Sequence, residues 1–366
     1  MKIELGTEKL KSAVNKVYKG VGQSGIFLTT TIIGIEGKDG NITLMATDRS
    51  ANIKVTLKEV ISKDIQPFYT NTVAERFKKL LDRTQSATVV LDIQPDKIVF
   101  SGSGDANLEI VYNDEDGEAT LARMQDISVS GEPKTVKVAD LKKFLTYLKG
   151  TLPISIENPV YLGYRLFNNK AMTYNNFGAN LIEIGWDEEA LIPSNVVNLF
   201  EVLEGDTAAV TVADNKIKIV TDTVEITGAL RKEVAEYNTD RFTKLIYNEK
   251  VFDKKVEVDR VRLVNALDRI RLFIGKEDEK VFDIEVDEKS MVFITLAKNC
   301  VEKVDFDSSE NDKVIAHKIG IDVFEAALSA IKGQKVVIYF GEQGGCRLVE
   351  ESEHAYLLVP YAKERH

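Results

Sequence analysis

Three segments of the chain follow one order: a short strand, an amphipathic helix, three strands, a second helix, then more strands. A repeat of this length constrains the fold more than any single motif, because each copy must bury the same faces in the same sequence. The first helices read "GTEKLKSAVNKVYKG", "VADLKKFLTYLKG" and "DRVRLVNALDRIRLFIG". Leu10, Val14 and Val17, then Leu141, Leu145 and Leu148, then Leu263, Leu267 and Ile270 each form one helical stripe. An apolar strand residue stands five positions before each stripe, at Leu5, Val136 and Val258. The strand pairs "ITLMATDRSANIKV", "AMTYNNFGANLIEI" and "MVFITLAKNCVEKV" alternate apolar with polar residues, which predicts strands with one buried face.

The second helices are "TVAERFKKLLDRT", "PSNVVNLFEVLEGD" and "GIDVFEAALSAIKGQ", each followed by a strand. Ser194 and Asp322 suit N-caps, and Gly205 and Gly333 suit left-handed C-terminal positions. Linkers fall near 126–133 and 237–253, which divides the 366 residues into α+β domains at 1–131, 132–249 and 250–366.

The search for reaction chemistry returns little. The start "MKIELGTEKLK" has a strand-then-helix pattern without a signal peptide's apolar segment, and no apolar run is long enough to span a bilayer, so a cytoplasmic protein without a membrane partner is expected. Cys300 and Cys346 are two cysteines in strand-like surroundings and read as spectators, not a disulfide or zinc framework. Three histidines, His317, His354 and His366, offer little for a triad or metal site, and no cofactor is expected. "SGSGD" at Ser101 lies between strands and reads as a hairpin turn. The carboxylates of "DIEVDEKS" from Asp283 fit a solvent-facing hairpin better than a metal site. Asp48 and Arg49 correspond to Asn176 and Phe177 in the second copy and to Ala297 and Lys298 in the third, so the repeat shares no chemistry at that joint.

The net charge of −10 argues against a protein that coats nucleic acid with its whole surface. Its distribution is uneven. The twelve-residue helix windows starting at 8, 73, 139, 195, 260 and 321 carry +3, +2, +2, −3, +3 and −1, a total of +6 against −16 for the other 294 residues. Lys16, Lys19, Arg76, Lys79, Arg83, Lys142, Lys143, Lys149, Arg262 and Arg269 lie away from the apolar stripes. A solvated helix face is often charged, but four positive windows in an acidic chain favour phosphate binding. Stacking platforms and recognition helices are absent from the sequence, so contact would be indifferent to base sequence.

This pattern resembles the bacterial DNA polymerase III beta-subunit sliding clamp, including phage-borne relatives. "MATD" at Met45 resembles the family's Gly/Ala-Thr-Asp step. "VYLGYRLF" at Val160 resembles its middle-domain strand, and "TDRFTKLIY" at Thr239 its linker, with Tyr247 in place of a proline. "AYLLVPYAKERH" at Ala355 is similar to the family's terminal Tyr-Val-Val-Met-Pro-Met-Arg-Leu. "NNFGANL" departs from the family's Thr-Asp-Gly-His-Arg-Leu segment, and Glu201, Glu204 and Asp206 depart from its basic helix faces.

The resemblance implies an α+β chain of three tandem domains of the DNA clamp fold, each with two helices packed on antiparallel sheets, forming half of a six-domain ring. It implies a non-enzymatic processivity factor for DNA replication: a head-to-tail homodimer around double-stranded DNA, opened by a clamp loader and tethering a replicative DNA polymerase. Leu108, Ile110, Leu272 and Phe273 would form the dimer contact. Leu162, Leu181, Ile246, Tyr247, Val359, Pro360 and Tyr361 would receive the partner's peptide. Two other readings stay open, an adaptor ring without DNA in its hole and a carboxylate-dependent hydrolase around Asp283.

Overall fold

The computed structural model describes residues 1–22, 27–58, 60–62, 65–115, 118–151, 163–175, 178–275, 279–310, 313–342 and 344–362. Among these are seven α-helices: α1 (Thr7–Tyr18), α2 (Ala74–Asp82), α3 (Val138–Lys143), α4 (Ser194–Asn198), α5 (Asp240–Ile246), α6 (Arg260–Leu272) and α7 (Ile321–Ala330). The fold is α+β, and the threefold alternation of strand, helix, strands, helix and strands recurs in it, but the two helices of each copy are separated by four, four and five strands among the described residues instead of the expected three. By contact the chain forms two compact units, Met1–Leu141 with Pro193–Leu230, and Lys142–Ile192 with Arg231–His366.

In the first unit, the strands Lys2–Gly6, Thr88–Ile93, Lys97–Ser101 and Asp105–Glu109 form a four-stranded antiparallel sheet in that order. An eight-stranded sheet runs Lys134–Lys137, Thr207–Ala213, Lys216–Val220, Val224–Ala229, Ala51–Leu57, Asn41–Thr47, Ile32–Lys38, Phe68–Val73. Its first four strands come from the second copy and its last four from the first. The two copies meet where Val224–Ala229 pairs antiparallel with Ala51–Leu57, Ile226 opposite Ile53. A two-stranded ribbon, Tyr112–Glu115 with Glu118–Leu121, completes this unit's strands among the described residues.

The second unit repeats the junction. Gly178–Glu183 of the second copy pairs antiparallel with Ala355–Pro360 of the third, Leu181 opposite Tyr356, inside a nine-stranded sheet. A four-stranded sheet runs Val301–Asp305, Ser290–Thr295, Val281–Val286, Ile315–Gly320. The middle copy's strands are thus shared between two continuous sheets, which is why its residues divide between the two units.

The stripes of α1 and α6 are buried as their spacing demands, Leu10, Val14, Val17, Leu263, Leu267 and Ile270 each at most 1% exposed. The middle copy differs. After Lys143 the helix widens into a π-turn, Phe144–Leu148, which rotates the buried face so that Phe144 and Tyr147 go inside while Leu145 is half-buried. The expected caps also shift. Ser194 is the first helical residue after Pro193, and Asp322 lies in the first turn of α7, so neither side chain caps its helix. Asp259 does cap α6, its carboxylate accepting from Arg262 N–H at 2.9 Å. Gly205 and Gly333 each follow their helix end, Val202 and Ala330, by three residues; Gly205 takes φ +90°, whereas Gly333 is not left-handed. The expected linker 237–253 contains a helix, α5. Both expected hairpins form; in the second, Asp287 closes its own turn by accepting from Lys289 N–H at 2.7 Å and Ser290 N–H at 2.6 Å.

Candidate nucleic-acid interface and partner site

The ten basic residues divide by what their charges already meet. On α1, Lys16 Nζ lies 2.6 Å from Glu204 and Lys19 Nζ 2.9 Å from Glu201, so the acidic helix of the second copy binds the basic helix of the first. Arg76 pairs with Glu109 at 3.3 Å and Lys79 with Glu75 at 2.5 Å, one turn back along α2, where it holds the Glu75 carboxyl below its ordinary pKa. In the second unit Lys143 pairs with Glu353 at 3.0 Å and Arg269 with Glu302 at 2.6 Å. The side chains of Arg83, Lys142, Lys149 and Arg262 are exposed and, among the described residues, meet no carboxylate. Surface pairs of this kind contribute little to stability, so a phosphate can displace them, but each one cancels part of the field that would draw DNA in.

Of the residues expected to receive a partner's peptide, Leu181, Ile246, Tyr247 and Pro360 lie on one face of the nine-stranded sheet, and Val359 and Tyr361 do not. Leu181 and Ile246 are fully buried in a cluster with Phe167, Met172, Tyr174 and Leu358, closed over by Tyr237 and Phe252 from the segment around α5. Tyr247 stands at its rim, 37% exposed, edge-to-face with Tyr356 at 5.2 Å and donating its hydroxyl to Glu183 at 2.6 Å. Burial and that bond raise the Tyr247 pKa. Pro360 lies on this face with Tyr356 and Leu358, whereas Val359 must point to the other, where it sits opposite Cys346 at 1% exposure. Tyr361 leaves the group: its ring stacks on His317 at 3.8 Å and its hydroxyl donates to the Gly341 carbonyl at 2.8 Å. Leu162 lies outside the described residues.

Tyr356, Leu358, Tyr339 and, above all, Arg347 join this face without being singled out by any motif in the sequence. Arg347 stands between Tyr339 and Leu358 in the sheet register, 5% exposed, its guanidinium 4.3 Å from the Tyr339 ring and 5.3 Å from the Phe252 ring. An arginine in an apolar alternating strand was the available signal.

The residues expected at a dimer contact divide as well. Leu272 and Phe273, at the end of α6, are 81% and 50% exposed beside the free strand Val301–Asp305, whose Val301 is 58% exposed. Leu108 and Ile110 point inward, 4% and 7% exposed. Leu108 is therefore part of its own sheet's core, and the neighbouring Asp105, Asn107 and Glu109 are what that strand shows to solvent.

Three copies of strand, helix, strands, helix and strands, joined edge to edge into continuous sheets, define the fold of the DNA sliding clamps. Solved structures with this fold match the full chain. They include DNA polymerase III subunit beta from Borrelia burgdorferi (14% identity, all of both chains, TM-score 0.84) and the DNA polymerase sliding clamp from Bacillus subtilis (16%, all of both chains, 0.82). A third is the DNA polymerase III beta subunit from Thermotoga maritima (18%, 99% of this chain and all of that one, 0.81). No protein-family model and no curated protein matches the sequence. At these identities the likeness is one of fold.

Proposed function

We propose that this protein is a DNA sliding clamp: a homodimeric ring without enzymatic activity that encircles duplex DNA and tethers a replicative polymerase. One observation carries the reading. Within each unit, the third strand after the second helix of one copy pairs antiparallel with the third strand after the first helix of the preceding copy: Val224–Ala229 with Ala51–Leu57, and Ala355–Pro360 with Gly178–Glu183. Two members of that series remain edges in the described structure, the third strand after the second helix of the first copy, Asp105–Glu109, and the third strand after the first helix of the last copy, Val301–Asp305. An open edge of each kind on every chain is the requirement for a heterologous, head-to-tail contact that closes a ring. The exposed Leu272 and Phe273 beside Val301–Asp305 supply the apolar part of that contact.

A ring held by topology needs only weak, sequence-indifferent phosphate contacts, and the mixture of paired and free basic residues on the helices suits a ring that slides. Polymerase and clamp loader would dock by short peptides at the cluster around Leu181, Ile246, Tyr247 and Leu358. The adaptor-ring reading draws on the neutralisation of Lys16 and Lys19 by Glu204 and Glu201. Retention on nicked circular DNA separates the two. A clamp loaded onto the circle should stay through gel filtration at physiological salt and be lost when the circle is cut. Equal retention on linear DNA, or no retention after loading, would overturn the proposal.

A further inference from the structure

The turn between Asn41–Thr47 and Ala51–Leu57 is held more firmly than a short connection needs. The Asp48 carboxylate accepts from Ser50 N–H at 2.9 Å, Ala51 N–H at 2.7 Å and the Ser50 hydroxyl at 3.0 Å. Asn195, the second residue of α4, donates to Asp48 at 2.8 Å and to the Ser50 hydroxyl at 2.7 Å. Within this frame Arg49 takes φ +81°, a left-handed conformation that a long side chain adopts only at a cost, and its N–H donates to the Thr47 hydroxyl at 2.8 Å. In that conformation the guanidinium lies over the Phe27 ring, 3.8 Å from its centre. Arg49 is exposed and meets no carboxylate among the described residues, and the neighbouring Asp48 is engaged by the turn.

Phe27 is 43% exposed and Leu28 52%. Thr30 fixes the carbonyl of Phe27, donating to it from its N–H at 3.0 Å and its hydroxyl at 2.8 Å. The same turn is tied to two basic helices. Gly22 N–H, just past α1, donates to the Thr30 carbonyl at 2.9 Å, and Ala74 N–H, the first residue of α2, donates to the Thr31 carbonyl at 3.0 Å. The stack therefore stands at the end of α1 and the start of α2, the helices that carry Lys16, Lys19, Arg76, Lys79 and Arg83. An exposed ring covered by an unmatched guanidinium presents an aromatic plane and a positive charge together. A nucleotide carries the complement of both, a flat base and a phosphate. In a duplex each base face is covered by its neighbours, so only an unpaired base is free to use the plane. The two halves of the stack come from separate loops, which is why the sequence shows no stacking platform.

We propose that the Phe27–Arg49 stack binds single-stranded DNA, one unpaired base lying on the aromatic and guanidinium planes while Arg49 pairs with a neighbouring phosphate. On a clamp around duplex DNA this contact would hold the strand where pairing ends, yet it needs neither ring closure nor the peptide site. The test is fluorescence anisotropy at low salt on the full-length protein, with fluorescein-labelled oligothymidylate, an abasic strand of equal length and a blunt duplex as probes. Oligothymidylate should bind more tightly than the abasic strand. F27A and R49G should each weaken it by about fivefold or more and erase that preference, while duplex binding changes by less than about twofold. R49K, which keeps the charge without the plane, should fall between. Because glycine accepts a left-handed backbone, the urea midpoint of R49G should hold or rise as binding falls, an outcome that a purely structural Arg49 would not give. A strand carrying 5-iodouracil should crosslink to the peptide that contains Phe27. Unchanged oligothymidylate affinity in F27A and R49G, equal binding of the abasic strand by wild-type protein, or crosslinks confined to other segments would overturn the proposal. So would an equal loss on duplex, which would make Arg49 a phosphate contact alone. Failure of wild-type protein to bind oligothymidylate would also overturn it, while retention on nicked circular DNA would still judge the clamp reading separately.

Discussion

At the residue scale, the junctions depend on how closely two backbones approach. A Cβ at Gly178 would stand 2.5 Å from the Leu358 carbonyl oxygen, a backbone atom of the neighbouring copy's strand that cannot rotate away. G178A should therefore push Gly178–Glu183 from Ala355–Pro360 and lower stability by about 1–3 kcal/mol, read from the urea midpoint. An unchanged midpoint would show that the junction yields. Asp287 offers a pH test. Backbone N–H groups of Lys289 and Ser290 hold its carboxyl below the ordinary pKa. A depressed folded-state pKa gives stability that is present above the unfolded value, about 4, and lost as pH falls through the folded one. D287N should flatten that acid limb of the urea midpoint against pH, while a limb of unchanged steepness would assign it to other carboxylates.

At the element scale, periodicity made the helices legible wherever a stripe had one partner face, as in α1 and α6. It failed at Leu145, because a π-turn changes the residues per turn without a distinct side-chain signature. It also missed α5, where the turn-rich flanks of a short helix read as linker. Arg347 escaped for a related reason: its meaning lies in Tyr339 and Leu358 across the sheet, which cross-strand register places beside it. The charge windows located basic faces but not their partners, and pairing alters what each lysine can do. E201Q together with E204Q should release Lys19 and Lys16 and raise short-duplex binding at low salt by about 2- to 10-fold, given the modest strength of exposed pairs. R83Q with K149Q, which remove charges that no described carboxylate offsets, should weaken binding more than K16Q with K19Q. Equal effects, measured as titrations across a salt series, would mean that the pairs do not shield the helix face.

At the scale of the whole molecule, the repeat itself was visible in sequence, whereas the closing contact proposed for the ring was legible only in part. Resemblance pointed to both sides of that contact, but the described chain exposes them differently. Leu272 and Phe273 are free, while Leu108 is packed into its own sheet, where an aspartate would bury a charge without a partner. A test of closure must therefore act on the exposed side. L272D with F273D should convert the dimer to a monomer in sedimentation equilibrium and abolish retention on nicked circular DNA. Its thermal unfolding should stay close to the wild-type monomer's, because these side chains contribute little to their own unit's core. L108D should instead lower the unfolding temperature of any species in which it folds. An intact dimer in L272D/F273D would place the closing surface elsewhere. A monomer that still needs an uncut circle would sever topology from dimerisation and remove the edge-strand argument on which the ring rests.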